Sequence, residues 1–582
     1  MLCFSPRNRG GGGEMVGEEM EGWLSWRVAA VAVAAWLALH VAARVADALW
    51  WRPRRLEAHF AAQGVRGPPY RFLLGSVKEM VALMAEASSK PMSPPTSHNA
   101  LPRVLAFYHY WRKIYGSTFL IWFGPTPRLT VAEPELVREI FLTRADAFDR
   151  YEAHPVVRQL EGDGLVSLHG DKWALHRRVL TDAFYPDNLN RLVPHVGRSV
   201  AALAEKWRAM AAAGGSGEVE VDVAEWFQAV TEEAITRTTF GRSYDDGRVV
   251  FAMQGQLMAF ASEAFRKVLV PGYRFLPTKK NWQSWKLDRE IRRNLTRLIA
   301  RRSDEAAEEE ENAGDDAGSF RDLLGAMINA GERKTRAPSS PKAIPVAEML
   351  EECKTFFFAG KQTTTNLLTW ATVLLAMHPE WQEEARREVL EVCGADELPA
   401  KEHLPKLKTL GMIINETLRL YPPAVATIRR AKTDVQLSDG CMIPRDMELL
   451  IPIMAIHHDT RFWGKDAAQF NPARFAEGTA RAAKHPLAFI PFGLGSRKCI
   501  GQNLARLEAK LTMAILLQRF ELRISPKYIH APTVLMLLYP QYGAPVIFRP
   551  RSPHPSECCH QARVGAVGHH GAPKTIGRTC SE

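Results

Sequence analysis

The chain has 582 residues, with 75 Lys and Arg against 64 Asp and Glu, giving a formal charge of +11. Hydrophobic residues make up 46% and charged residues 24%, proportions that exclude a disordered or fibrous chain. Eight cysteines in this length, with no C-x-x-C pair, argue against a disulfide scaffold, a zinc ribbon or a thioredoxin-like site.

Residues 1–22 read as a short tail. Trp23 to Trp51 (WLSWRVAAVAVAAWLALHVAARVADALWW) is nearly continuous apolar sequence, long enough for the ~20 residues that cross a bilayer. Tryptophans sit near both ends, where indole rings favour the membrane interface. Arg52, Arg54 and Arg55 follow, while Glu14, Glu18, Glu19 and Glu21 precede. The positive-inside rule then puts the tail on the non-cytoplasmic side and the rest of the chain in the cytoplasm. A cleaved signal peptide is disfavoured. The leading region is acidic, and arginines with Pro53 stand where small residues should mark a cleavage site.

Residues 52–75 read as a basic, proline-rich hinge, non-helical over GVRGPPYRFLLG, residues 64–75. A body from 76 to 550 follows. Thr118 to Ala132 reads as two short strands about a Gly-Pro turn. Most of the remainder reads as helix. The acidic stretch 304–319 and the basic, proline-rich stretch 331–345 read as solvated loops around a short amphipathic helix, FRDLLGAMINA. Pro345 to Met377 reads as one long helix, opened by Pro345 and stopped by His378-Pro379. At ~1.5 Å per residue it is a rod of roughly 48 Å, apolar on most sides, which argues for one large domain built around it. Residues 551–582 are rich in His, Gly, Pro and Ser, show no period and read as disordered.

The chemistry points to FGLGSRKCIG, residues 492–501. Phe492, Gly495, Arg497, Cys499 and Gly501 occupy fixed positions just before a predicted helix. A cysteine at a helix N-terminus is stabilised as thiolate by the dipole and the free N–H groups. Arg497 adds positive charge nearby. A thiolate with backbone donors beside an apolar ring suits the proximal ligand of an iron porphyrin.

With these residues the chain resembles the cytochrome P-450 superfamily of haem-thiolate monooxygenases. The resemblance runs from about Trp23 to Pro550. Ala359-Gly360-Lys361-Gln362-Thr363-Thr364 in the long helix looks like the oxygen-activation motif. Glu416-Thr417-Leu418-Arg419 looks like the ExxR pair, residues 470–475 (FNPARF) are similar to the PERF segment, and Trp173 with Arg177 match a W-x-x-x-R element. The resemblance implies a mainly α fold with small β-sheets, in one large domain behind a transmembrane helix. It implies haem b, with Cys499 as the axial ligand of its iron, and O2 as a substrate.

Individual roles follow from the same resemblance. Thr363 is the oxygen-activating threonine, and its hydroxyl can bond back to the Ala359 carbonyl four residues earlier. Ala359 and Gly360 are small enough to let the helix approach the haem. Gln362 departs from the acidic residue usual before the threonine, and a neutral amide gives no proton at pH 7. Glu416, Arg419 and Arg474 form a buried structural trio that holds the cysteine loop. Trp173, Arg177 and Arg497 bind haem propionates, as does an arginine after Tyr421-Pro422-Pro423, where register favours Arg430. His176 faces either the haem or solvent.

The segment before Trp173, Phe357 and Phe358 of the long helix, Val425, Ala426 and Thr427, and the Tyr539–Tyr542 turn are expected to line an apolar pocket for a lipophilic substrate. The run from Tyr108 to Phe141 and the AGKQTT variant look like plant brassinosteroid-inactivating enzymes, which hydroxylate the steroid side chain at C-26. Related members of that clan act on gibberellins, terpenoids and cytokinins. No G-x-G-x-x-G fingerprint is present, so electrons come from NADPH through a separate flavoprotein reductase. The cluster Arg497, Lys498, Arg506 and Lys510 is a candidate docking face for it. The implied location is the endoplasmic reticulum membrane, crossed once. No nucleic-acid partner is implied. A haem-thiolate isomerase or dehydratase, and a non-enzymatic haem- or sterol-binding membrane protein, are the alternatives.

Overall fold

The structure is a computed structural model that describes residues 14–94, 96–152, 157–158, 161–265, 278–312, 322–332 and 344–551. The expectations for the first 13 residues, for 313–319, for 333–343 and for the tail after Arg551 lie outside the described residues.

Helix α1 (Glu14–Ala46) starts before the expected Trp23 and runs through a π-helical turn, Asp47–Trp51, into α2 (Arg52–Ala62). The stretch from Trp26 to Ala62 is long and apolar enough to cross a membrane, and from Trp26 to Val45 its apolar side chains stand exposed, Trp26 by 77% and Leu39 by 71%. The expected hinge is corrected in its first half. Residues 52–62 are helical, because Pro53 falls in the first turn, where its missing N–H costs nothing. Pro53 and Phe60 are buried against the body. Residues 64–75 are non-helical, but they are packed. The Tyr70 hydroxyl donates to the Leu49 carbonyl at 2.5 Å, and the Trp50 ring lies 6.1 Å from Phe72. Gly75 is left-handed (φ 55°), and a Cβ there would come 2.4 Å from the Gly124 carbonyl oxygen.

The anticipated strand pair is present as β1 (Phe119–Phe123) and β2 (Thr126–Thr130). With β3 (Phe148–Arg150), β4 (Thr427–Ala431) and β5 (Glu448–Ile451) they form one sheet in the order β1-β2-β5-β4-β3. Only the β2–β5 pair is parallel. Strands β6 (Pro532–Val534) and β7 (Leu538–Pro540) make a separate hairpin.

Five helices carry the argument: α3 (Gly170–Thr181), α4 (Val223–Phe240), α5 (Val346–Met377), α6 (Lys408–Leu420) and α7 (Gln502–Arg519). The long central helix is α5, capped by Pro345 and closed at His378 as expected. One expected loop is helical instead: the helix from Lys279 continues to Asn312. Ala and Glu are strong helix formers, and their propensity outweighs the repulsion between neighbouring carboxylates.

Helix α4 packs along one face of α5. Thr231 and Thr365 share a hydrogen bond at 2.8 Å, and Lys361 pairs with Glu232 at 2.6 Å. Gly360 belongs to this contact. A Cβ on Gly360 would lie 2.5 Å from the Ile235 Cδ1. The small residue therefore lets α4 approach α5, a packing role beyond the one expected toward the haem. Gly360→Ala should destabilise the fold by ~1–3 kcal/mol through overpacking. Ile235→Ala should rescue it in the double variant, with denaturant midpoints as the measurement.

Candidate active site

The cysteine loop is a wrapped turn. Gly493 (φ 71°) and Gly495 (φ 70°) are left-handed, and a Cβ on Gly495 would lie 2.2 Å from the Phe141 carbonyl oxygen. The Cys499 N–H donates to the Phe492 carbonyl at 2.9 Å, and Lys498 N–H to Gly495 at 3.1 Å. Gly501 caps α7, so the sulfur sits at a helix N-terminus. Cys499 is exposed by accessible area, yet protein surrounds it closely enough for burial to push its thiol up. The two facts agree if the sulfur lies on the wall of an open interior slot. The Gly501 N–H, Arg177 and Lys498 oppose that rise.

Helix α5 carries a second opening. It is buried on both sides of a half-exposed window, Phe358–Thr363. Within the window the Thr363 hydroxyl donates to the Ala359 carbonyl at 2.6 Å, the bond anticipated from sequence. Gln362 reaches Asn366 Oδ1 only at 3.4 Å. Phe357 is corrected from pocket to core, since it is fully buried with its ring 4.3 Å from Phe251. Ala426 and Thr427 are half-exposed, and Val425 is buried. The turn between β6 and β7 falls at 535–537, whereas Tyr539 is in β7 and Tyr542 is an exposed outer residue.

The cationic edge lies where α3 meets the cysteine loop. The Arg497 guanidinium stacks 4.5 Å from the Trp173 ring and donates to Asp149 at 2.7 Å and the Leu168 carbonyl at 2.9 Å. Burial favours the neutral Asp149 carboxyl, but hydrogen bonds from His169 and the Arg150 N–H, with Arg497 beside them, hold its pKa below the ordinary value. The Arg177 guanidinium makes no hydrogen bond or ion pair among the described residues, and its charge acts on Cys499. The choice of Arg430 is corrected. Arg430 turns to Asp446 at 2.8 Å, with Glu152 at 3.7 Å. Arg429 stands near Arg497 instead. Burial lowers it to about 10, and Arg150 and Arg497 push the same way. Sequence register could not separate two adjacent arginines. Asp149 carries no sequence signal at all.

The Glu416–Arg419 pair is fully buried and bidentate, with both contacts at 2.7 Å. Arg419 also donates to the carbonyls of His457 (2.9 Å), Ala467 (2.7 Å) and Gln469 (3.1 Å). Arg474 is a looser member than expected. It stands 3.6 Å from Glu416, and its main partner is Asp466 at 2.5 Å. His457 makes the link to the loop. Burial, helped by His458 and Arg419, holds its pKa to about 3, and the neutral ring accepts from the Ile490 N–H at 3.0 Å.

His176 faces neither haem nor solvent. It is buried between Glu352 (2.7 Å) and Glu348 (2.9 Å) of α5. Glu352 also accepts the Leu165 N–H at 2.9 Å. One carboxylate thus fixes both α3 and the loop before it.

These features fit an iron porphyrin. Arg177, Arg429 and Arg497 against Asp149 leave two positive charges uncompensated, the complement of two propionates. Cys499 offers a sulfur ligand. The family model for cytochrome P450 matches residues 102–545. The chain belongs to the cytochrome P450 family, the monooxygenases that use haem, O2 and electrons supplied by a reductase. Cytochrome P450 734A2 of Oryza sativa subsp. japonica is 86% identical over 545 residues, covering 92% of this chain and 97% of that protein. Cytochrome P450 734A1 of Arabidopsis thaliana is 57% identical over 530 residues, 91% and 98% of the two chains. Cytochrome P450 CYP72A616 of Paris polyphylla is 42% identical over 517 residues, 89% and 96%. The similarity places the chain in the 734A group.

Burial disfavours the charged form of His176, but Glu352 and Glu348 outweigh it and raise its pKa above the ordinary 6.5. A group with a raised folded-state pKa contributes stability that is full below its unfolded value and is lost as pH rises through the folded one. His176→Gln should therefore lower Tm most below pH 6.5. The gap from wild type should close toward alkaline pH in thermal melts; a pH-independent gap would contradict the charged clamp.

Proposed function

We propose that this protein is a membrane-anchored monooxygenase that hydroxylates the brassinosteroid side chain at C-26 and so inactivates the hormone. The observation that carries the substrate is the resemblance of Tyr108–Phe141 and the AGKQTT motif to plant brassinosteroid-inactivating enzymes. The half-exposed apolar wall at Phe358, Ala426 and the 535–537 turn suits a steroid.

Cys499 would hold the iron, and Trp173, Arg177, Arg429 and Arg497 the propionates. When bound, the haem activates O2 so that one oxygen atom enters the substrate and the other leaves as water. The Thr363 hydroxyl, tied to Ala359, widens the helix where a water can sit. Gln362 orients water without giving up a proton, so protons reach this point from solvent. Glu416, Arg419 and Arg474 keep the cysteine loop in place.

The reductase would dock on the outer face of α7. Arg506 and Lys510 line a cavity of about 390 Å³ there with Lys401 and Asn503. An adjoining cavity of about 820 Å³ adds Arg191 and Arg198. Such a basic surface complements an acidic flavoprotein. The chain would cross the endoplasmic reticulum membrane once, with this face in the cytoplasm.

Reconstitution with a plant reductase, NADPH and castasterone should consume the steroid and yield its C-26 alcohol. Consumption of a gibberellin, terpenoid or cytokinin in its place would overturn the substrate. Peroxide rearrangement without NADPH would overturn the reaction class. Cys499→Ala should abolish the thiolate-type absorption of the reduced carbon monoxide complex, and its retention would displace Cys499 as ligand.

A further inference from the structure

A buried chain of imidazole and phenol groups lies apart from the cysteine loop. His378, just past α5, meets His98 between their Nε2 atoms at 2.9 Å. His98 Nδ1 meets the Tyr421 hydroxyl at 2.9 Å. That hydroxyl meets His530 Nε2 at 3.0 Å, and His530 Nδ1 meets the Tyr528 hydroxyl at 2.8 Å. At the outer end the Glu380 carboxylate lies 3.2 Å from His378 Nδ1.

The carboxylate only accepts, so the neutral tautomer of His378 that donates to it through Nδ1 presents a bare Nε2. One set of tautomers then gives every bond a single proton: His98 donates to His378, Tyr421 to His98, His530 to Tyr421 and Tyr528 to His530. Burial, with His378 and His530 adding to it and His458 and Arg419 behind them, lowers His98 to about 3. Burial likewise lowers His530 to about 4. His98 and His530 are therefore neutral, as the tautomers require. A fully satisfied buried network of this kind fixes one arrangement of its members, and removing one leaves costly orphans.

The members come from distant parts of the chain and converge on one weak element. Hairpin β6–β7 has two three-residue strands, too few to hold its own position. It hangs on His530, whose carbonyl accepts the Met92 N–H at 3.0 Å. Arg103 grips both sides of it, at the Pro532 carbonyl (3.1 Å) and Gln541 (2.6 Å). The Leu538 N–H donates to Pro423 at 2.9 Å, two residues past Tyr421 and just before Val425–Thr427. The Tyr421 ring stacks on Trp370 of α5, with centroids 4.3 Å apart and planes at 8°. Trp370 lies about two turns beyond Thr363. The hairpin tip, Leu535-Met536-Leu537, is apolar and half-exposed.

We infer that the chain from His378 to Tyr528 sets the position of the hairpin tip as a wall of the substrate pocket. Tyr421 and His98 are thereby positioning residues that decide which substrate carbon meets the oxygen. The inference rests on the monooxygenase reading of the slot, and its test does not need the steroid to be the right substrate.

The test compares full-length, membrane-bound wild type with Tyr421→Phe, which keeps the stacked ring and removes only the hydroxyl. The thiolate-type carbon monoxide spectrum should be unchanged. Ketoconazole, a bulky azole read by its own spectral shift, should bind about fivefold or more weakly. With castasterone, KM should rise by a similar factor at little-changed kcat, and minor hydroxylated products should increase. Unchanged azole affinity in a variant with full haem content overturns the inference. If wild type ignores castasterone, only the substrate reading fails, and the azole comparison still decides. If Tyr421→Phe does not accumulate, Tyr528→Phe removes the last bond alone. A smaller shift of azole affinity in the same direction supports the positioning role. A lowered Tm with unchanged affinity reduces the chain to a folding staple.

Discussion

The bidentate contact between Glu416 and Arg419 is the interaction on which the site depends. Both groups are fully buried, where an unpaired charge would cost several kcal/mol. Neither can be left without the other. Arg419 has donors to spare, and three backbone carbonyls take them. One belongs to His457, whose neutral ring accepts the Ile490 N–H at the entrance to the cysteine loop. The loop closes on itself two residues later, through Phe492 and Cys499. The sulfur is thus held at a short remove from an ion pair that never touches it.

The slot is a place where ordinary folding rules are relaxed on both sides. From Glu352 to Ala376 helix α5 is buried except for six residues in its middle, and one hydroxyl there bends back on its own backbone. The cationic edge carries more charge than its single carboxylate answers. A protein folding for stability alone would fill the first and neutralise the second. Their coincidence around one cysteine marks the space as made for a flat dianionic partner.

Much of this was legible in the sequence, because local rules and tertiary demands agree there. Pro345 and His378 bound the central helix by backbone sterics alone. The cysteine loop declares itself through its glycines, of which Gly495 is left-handed and has no room for a Cβ. The i, i+3 spacing of Glu416 and Arg419 in an apolar helix implied their burial. The illegible parts depend on distant packing. Gly360 reads as a gap for a cofactor, and its tight contact with Ile235 of α4 has no sign in the sequence. Arg429 and Arg430 are indistinguishable until Asp446 claims one of them. His176 looked like a surface or cofactor residue, since nothing local shows that two carboxylates from a helix over 170 residues away enclose it. Residues 304–312 misled in the opposite way, as acidic composition suggested solvation while propensity kept the helix going.

The unbroken passage from α1 through the π-helical turn into α2 gives the anchor the character of a screw. A flexible tether would let the body tumble over the bilayer. Here the Leu49–Tyr70 hydrogen bond and the Trp50–Phe72 contact clamp the helix to the body at its point of emergence. Height and heading are therefore coupled through helical pitch. Each residue gained or lost between the membrane and Phe60 would lift the body by ~1.5 Å and turn it by about 100°. In the proposed anchored form, one apolar residue of the helix could stand in for another, whereas its length would set the direction in which the body faces the lipid.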